Sequence, residues 1–217
     1  MTPRPVLTGQ RRREILEAAA DVIAERGLSD TRLADVAQRA GGSAALVIYY
    51  FETKDRLLTE ALTFADDRFY LHAFHEMTAL DSPRDQLVRL IEMSCPSEPD
   101  VMADWTLWLE LWTRARRDAE TARKREALDR RWRGTIADIV REGQRAGEFA
   151  ALDADDFALR LTALIDGLAV QVLLGDSDVT SERMREICLE VASSELDLEA
   201  GRKAKPLPRA RRAARAE

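Results

Sequence analysis

Long apolar runs, alternating strand patterns, cysteine and helix-breaking residues are all scarce in this 217-residue chain. Each shortage excludes something. No stretch of 18 apolar residues occurs, so no membrane span is expected. The opening residues, MTPRPVLTGQRRR, hold no apolar segment and do not read as a signal peptide. Two cysteines, Cys95 and Cys188, are too few for a disulfide framework. They read as reduced, buried thiols, and a cytoplasmic location is expected. Seven prolines and ten glycines leave room for long uninterrupted elements. No stretch alternates apolar and polar residues over strand length, so an all-α fold of about nine helices is expected. No Ser-His-Asp set, Cys-His pair, zinc-ligand spacing or phosphate-cradling glycine loop is visible. The sequence therefore points away from an enzyme and calls for no cofactor.

Charge is unevenly spread. The net charge is −6, which by itself argues against nucleic acid. Residues 1–56, however, hold nine Lys/Arg against eight Asp/Glu, and residues 199–217 hold seven against two. The stretch 57–198 carries 17 against 29. An acidic body with neutral-to-basic ends suits a binding head on an acidic core. The expected division is a disordered N-terminus over 1–10, a head over 11–56, a body over 57–198 and a disordered basic tail over 199–217. That tail either adds non-specific affinity for DNA or is a solvated end.

The head is the most legible part. A first helix opening at Arg11-Arg12-Arg13 has Ile15, Ala18, Ala19, Val22 and Ile23 on one face and stops at Gly27. Thr31 has the chemistry of an N-cap for a second helix with Leu33, Val36, Ala37 and Ala40 inward. Gly41-Gly42 makes a turn, and Ser43 caps a third helix from Ala44 to about Tyr50. Thr53 caps a long fourth helix with apolar Leu57, Leu58, Ala61, Leu62, Ala65 and Phe69. Two helices this short around a glycine turn need a third before them, and together they can hold one helix against base edges in the major groove.

These residues also carry a resemblance. Ala18, Ala19, Gly27, Thr31, Val36-Ala37-x-x-Ala40-Gly41, Ser43 and Tyr49-x-Phe51-x-x-Lys54-x-x-Leu57 resemble the DNA-binding head of the TetR family of bacterial transcriptional repressors. Tyr50-Phe51 followed by Lys54-Asp55 looks most like its BetI-like branch. The resemblance implies a homodimer on a palindromic operator, with the third helix of each head in a major groove and release by a small molecule bound in the body. On this reading Thr31, Ser43, Tyr49 and Lys54 anchor phosphate, while Ala44, Ala45, Ile48 and Tyr49 face the bases. Phe51 reads as a core plug; Tyr50 reads either as a plug or as a DNA contact. Gly42 departs from the family pattern, where Val or Ile is common, and is expected to loosen the turn. The reading surface is unusually apolar at Ala44-Ala45-Leu46. Arg11, Arg12 and Arg13 either reach DNA or form a solvated helix start.

In the body, Trp105, Trp108 and Trp112 fall on one helical stripe, flanked by Leu109. The stripe is either core packing or a cavity wall, and indole faces attract cations. Glu110 and Asp166 are the candidate acids beside it. Asp166 lies inside an apolar run, where a carboxylate is costly unless paired, so it either bonds a neighbouring helix or binds ligand. Cations such as choline or a polyamine, or a flat hydrophobic compound, are the effector classes considered. The run Leu161–Leu174 is apolar nearly all round, so burial on both sides is expected. Leu164, Leu168 and Val172 on that helix, with Met184, Ile187 and Val191 on the last, are the expected dimer contacts. His72 and His75 read as surface or pocket-edge residues.

Overall fold

Short polar side chains at helix starts set most boundaries. In a computed structural model describing residues 4–197, Ser43 Oγ accepts from Leu46 N at 3.2 Å, Thr53 Oγ1 from Arg56 N at 3.1 Å and Ser82 Oγ from Asp85 N at 3.3 Å. Each bond satisfies a backbone donor that the first helical turn leaves free. The helices run α1 Arg4–Arg26, α2 Leu33–Arg39, α3 Ala44–Phe51, α4 Lys54–Thr78, α5 Pro83–Ser94, α6 Pro99–Ala115, α7 Ala119–Ala146, α8 Ala154–Leu173 and α9 Ser181–Leu196. The fold is all-α, with nine helices and no strand among the described residues. None of these helices is long and apolar enough to cross a membrane.

Two boundaries differ from expectation. Helix α1 begins at Arg4 rather than Arg11, so residues 4–10 are helical. Pro5 does not prevent this, because a proline in the first turn forfeits no intrahelical bond. The expected basic tail, 199–217, lies outside the described residues. Helix α2 is preceded by Arg32, not Thr31, and Arg32 makes no side-chain cap bond.

Apolar burial forms two clusters. One joins the inner faces of α1, α2 and α3 to the first half of α4, through Leu57 to Ala65, and takes in Leu107 and Leu111 of α6 and Leu128 of α7. The other joins Ala73 and Met77 of α4 to α5, α7, α8 and α9, with Trp105 of α6. The packing of the head therefore does not stop at residue 56. Helices α4 and α6 belong to both clusters, and Trp108 packs against both.

Helix α8 has one buried face, formed by Phe157, Ala158, Leu161, Thr162, Ile165, Leu168 and Ala169. Its opposite side is bare: Leu159 is 49% and Leu174 77% exposed, with Ala163 and Gly167 between them also exposed. This corrects two expected partner contacts. Leu168 and Met184 are buried in the chain's own core, so a charge placed there would disrupt the monomer rather than a partner surface. Leu164, Val172, Ile187 and Val191 are half-buried at the margin of that core. Cys95 and Cys188 are free and buried, as expected. His72 and His75 are exposed on α4.

The corner after α7 depends on a missing side chain. Phe149 folds back over Gly143, and a Cβ there would lie 2.2 Å from the Phe149 ring. The Phe149 ring is buried, so it cannot swing away into solvent. Gly143→Ala should therefore destabilise the chain by about 1–3 kcal/mol, the usual cost of overpacking, despite alanine's better helix propensity. A urea unfolding midpoint equal to or above that of the parent would contradict this packing.

Candidate nucleic-acid interface and internal cavity

Helix α3 turns two faces in opposite directions. Val47 and Phe51 are buried in the head, while Ser43, Ala44, Ala45, Ile48 and Tyr49 are exposed together on the outer side. Tyr49 is 77% exposed and meets Tyr50 edge-on, with ring centroids 5.4 Å apart. Tyr50 is half-buried against the head's core and Phe51 is fully buried, so Tyr50 buttresses Tyr49 from behind. Ser43 and Tyr49 supply the hydroxyls on an otherwise apolar face. Lys54, half-exposed at the first position of α4, has no ion-pair partner among the described residues.

Between α3 and α4 the chain makes a tight turn. Glu52 has φ 64° and ψ −48°, and Thr53 N donates to Phe51 O at 2.6 Å. This is a γ-turn of the strained hand, rare for a residue with a side chain. An ion pair from Glu52 to Arg56, at 3.0 Å, braces it.

The basic start of α1 is spent mostly inside the head. Arg11 Nη2 donates to Gly41 O at 3.0 Å, and Arg11 also pairs with Glu14 at 2.7 Å. The turn expected to be loosened by Gly42 is thus pinned. Gly41 takes the positive φ of 64°, and a Cβ on Gly42 would lie 2.7 Å from the Arg11 guanidinium. Arg12 stacks over Phe51 at 5.0 Å and pairs with Glu60. Arg13 is exposed and without an ion pair among the described residues.

Thr31 is corrected. It is 1% exposed, and its hydroxyl donates to Gly27 O at 2.8 Å, closing the corner between α1 and α2. It cannot reach phosphate. The exposed cation at that helix start is Arg32, which sequence reasoning passed over because Thr31 looked like the cap.

A cavity opens in the body, enclosing about 630 Å³ counted out to its mouth. Trp105, Trp108 and Trp112 of α6 line it as expected, joined by Phe69 and Tyr70 of α4 and Trp132 of α7. Trp108 and Trp112 meet edge-on at 6.0 Å; Trp132 lies 5.8 Å from Phe69 and 6.3 Å from Tyr70. Trp105 is fixed by its indole N–H, which donates to Ser94 O at 2.9 Å. Four carboxylates share the lining: Asp66, Asp104, Asp129 and Asp166. Glu110 and Leu109 do not line it. Glu110 faces the head instead, where its carboxylate accepts Leu28 N at 3.0 Å.

Sequence reasoning missed Asp66, Asp129, Phe69, Tyr70 and Trp132. A signal existed: Asp66 precedes Phe69 and Tyr70 by three and four residues, Asp104 precedes Trp108 by four, and Asp129 precedes Trp132 by three. On a helix each acid then shares a face with its ring.

The acids are held at an electrostatic cost. Burial pushes the Asp66 carboxyl up to about 7, although Arg131 lies 3.1 Å away and opposes the shift. The same guanidinium stacks on Tyr70 at 3.9 Å. Burial likewise raises Asp129, against the pull of Arg125 with which it pairs. Asp166 is pushed up to about 7 by burial first and by nearby Asp129 second. It has no hydrogen-bond or ion-pair partner among the described residues. An aromatic box with more buried negative than positive charge is complementary to an organic cation.

A three-helix reading head joined to a helical body with its own cavity defines a helix-turn-helix regulator of transcription. Residues 15–61 match the bacterial regulatory proteins of the tetR family, and residues 83–197 match the C-terminal domain of BetI-type transcriptional repressors. The chain belongs to the TetR family, with a body of the BetI type. It is 28% identical to the transcriptional regulator BetI of Rhizobium meliloti, over 83% of this chain and 86% of that one. It is 24% identical to the regulator PksA of Bacillus subtilis, over 88% and 93%. Among solved structures, a putative transcriptional regulator from Saccharomonospora viridis in complex with choline is 34% identical. It aligns over 87% of this chain and 98% of its own, with a TM-score of 0.81. A putative TetR-family regulator from Rhodococcus is 30% identical, over 87% and 99%, with a TM-score of 0.75.

Two outcomes follow from this geometry. Tyr49→Ala should weaken DNA binding roughly tenfold or more, the worth of a hydrogen bond to a charged group, with an unchanged circular dichroism spectrum. Undiminished binding in a gel-shift titration would contradict the assigned face. For Asp166, the folded carboxyl keeps its proton to about pH 7, whereas an exposed one releases it near 3.8. The folded chain thus binds more protons in that window, and stability falls as pH rises through it. Asp166→Asn should therefore raise the melting temperature at pH 8 and change it little at pH 5. An equal gain at both would show that the carboxyl is not buried in this way.

Proposed function

We propose that the protein is a homodimeric repressor that holds a palindromic operator and lets it go when an organic cation enters the body. The observation that carries this reading is the cavity. Six aromatic side chains and four carboxylates surround one space, and Asp166 among them has no partner on the described chain. A quaternary ammonium supplies the missing charge and loses little hydration on entering an aromatic box. The choline held by the Saccharomonospora viridis protein is an ammonium of this kind.

On the DNA side, Ser43, Ala44, Ala45, Ile48 and Tyr49 enter the major groove. Tyr49, Ser43, Lys54, Arg13 and Arg32 contact phosphate. Tyr50 acts from behind, by holding Tyr49. Few hydrogen-bonding side chains reach the bases, so thymine methyl contacts and DNA shape carry much of the selectivity. The dimer forms through the bare side of α8, centred on Leu159, Ala163, Gly167 and Leu174, with the margin of α9 at Ile187 and Val191. Two reading heads then sit on two half-sites related by the same two-fold axis.

Helix α6 connects the two functions. Its tryptophans line the cavity, while Glu110 holds Leu28 N and Arg114 donates to Thr59 at 2.9 Å and pairs with Asp55 at 3.4 Å. A cation that draws α6 toward Asp66 and Asp166 shifts these contacts, and with them the spacing of the heads.

A fluorescence-detected DNA titration tests the reading. Choline is expected to quench tryptophan emission and to lower operator affinity at least tenfold, more effectively at pH 8 than at pH 6, because the cation needs ionised carboxylates. Protection of a palindrome in a footprint of the protein's own promoter is expected as well. Binding of DNA that no ammonium compound alters would sink the cation-release reading and favour a regulator without a small-molecule ligand.

A further inference from the structure

Two polar atoms in the cavity are left without partners. Trp112 Nε1 and Thr162 Oγ1 are buried, and neither has a hydrogen bond among the described residues. Thr162 is 8% exposed, on the inner face of α8; Trp112 faces the same space from α6. Other polar groups of this wall are satisfied: Trp105 Nε1 by Ser94 O, and Tyr70 Oη with Thr135 Oγ1 at 3.0 Å. Buried donors are nearly always paired in folded proteins, and an indole N–H can only donate. What completes Trp112 is therefore an acceptor. A threonine hydroxyl can give or take.

The charges can be balanced in the same way. Asp66 is matched by Arg131, Asp129 by Arg125, and Asp104 faces Arg68 at 3.5 Å. Asp166 alone is unmatched. One uncompensated carboxylate calls for one positive charge.

Resting on the cation-release reading above, we infer that Trp112 and Thr162 form an oxygen-recognising end of the cavity, opposite the charge of Asp166. The site then selects a monovalent ammonium carrying a hydroxyl over an alkylammonium of the same shape or a polyamine. A hydroxyl accepts from Trp112 and donates to Thr162, so both orphaned atoms are satisfied by one group. A carboxylate in its place would accept from both, but it would face the four acids of the wall. A polyamine would bring charges for which no free carboxylate remains, and would leave Trp112 unpaired.

The test compares choline with n-propyltrimethylammonium, in which a methyl group stands where choline has its hydroxyl. Isothermal titration of the full-length protein should show choline binding about five- to tenfold more tightly, the worth of a neutral hydrogen bond. It should also bind more tightly than spermidine or glycine betaine. In Trp112→Phe the ratio of choline to propyltrimethylammonium affinity should collapse toward one, whatever the lost indole face does to both. Thr162→Val, which keeps the side-chain shape, should lower the same ratio independently of any packing defect in the first variant. Equal affinities in the parent protein, or an unchanged ratio in both variants, would overturn the assignment while leaving a cation sensor standing. Tighter binding of spermidine would overturn the charge count. Failure of every ammonium compound to bind would overturn this inference together with the function on which it rests.

Discussion

Trp108 packs on both apolar clusters of the chain, and the helix that carries it is shared between them. Leu107 and Leu111 of α6 are buried with the reading head, while Trp105 is buried with the body. Because successive residues on a helix are about 100° apart, adjacent stripes of one rod serve two cores. Close-packed interiors transmit displacement rather than absorb it. A helix fixed on one side by Leu28, Thr59 and Asp55, and on the other by a ligand wall, cannot move at one end alone. Coupling between cavity and DNA face is in that sense a packing property.

The cavity itself is a compromise. Carboxylates are placed where burial opposes their charge, and only partly matched by Arg131, Arg125 and Arg68. A chain optimised for stability alone would fill this space with apolar side chains. Keeping Asp66 and Asp166 near neutrality in proton affinity stores a preference for positive charge that a ligand can satisfy. The aromatic rings add attraction that does not depend on pH. The strained turn at Glu52 is a second departure from what stability favours, and it too lies beside a functional surface, immediately after α3.

The helices, their caps and the reading face are local matters, and they could be read without the fold. Ser43 and Thr53 cap because a hydroxyl at a helix start bonds a donor three residues on. Val47 and Phe51 turn inward because they recur at helical spacing among smaller residues. Phe51 as a plug and the tryptophan stripe as a wall were both legible for that reason. Thr31 was not: its hydroxyl turns back to Gly27 O, a choice made by the packing of α1 against α2 rather than by its neighbours in sequence. Arg11 and Arg12 looked free because their partners, Gly41, Phe51 and Glu60, lie thirty or more residues away.

Local sequence, then, determined an all-α chain with a three-helix head that presents Ser43, Ala44, Ala45, Ile48 and Tyr49. It also carried the family motif, because caps, turns and periodicity act over three or four residues. Only the tertiary structure decided that Asp66, Trp132 and Asp166 share a space with the α6 tryptophans, that Glu110 serves the head, and that Leu168 and Met184 face inward. Those facts depend on how α4, α6, α7, α8 and α9 are rotated against one another. Rotation is fixed by the packing of distant side chains, which no single stretch of sequence contains.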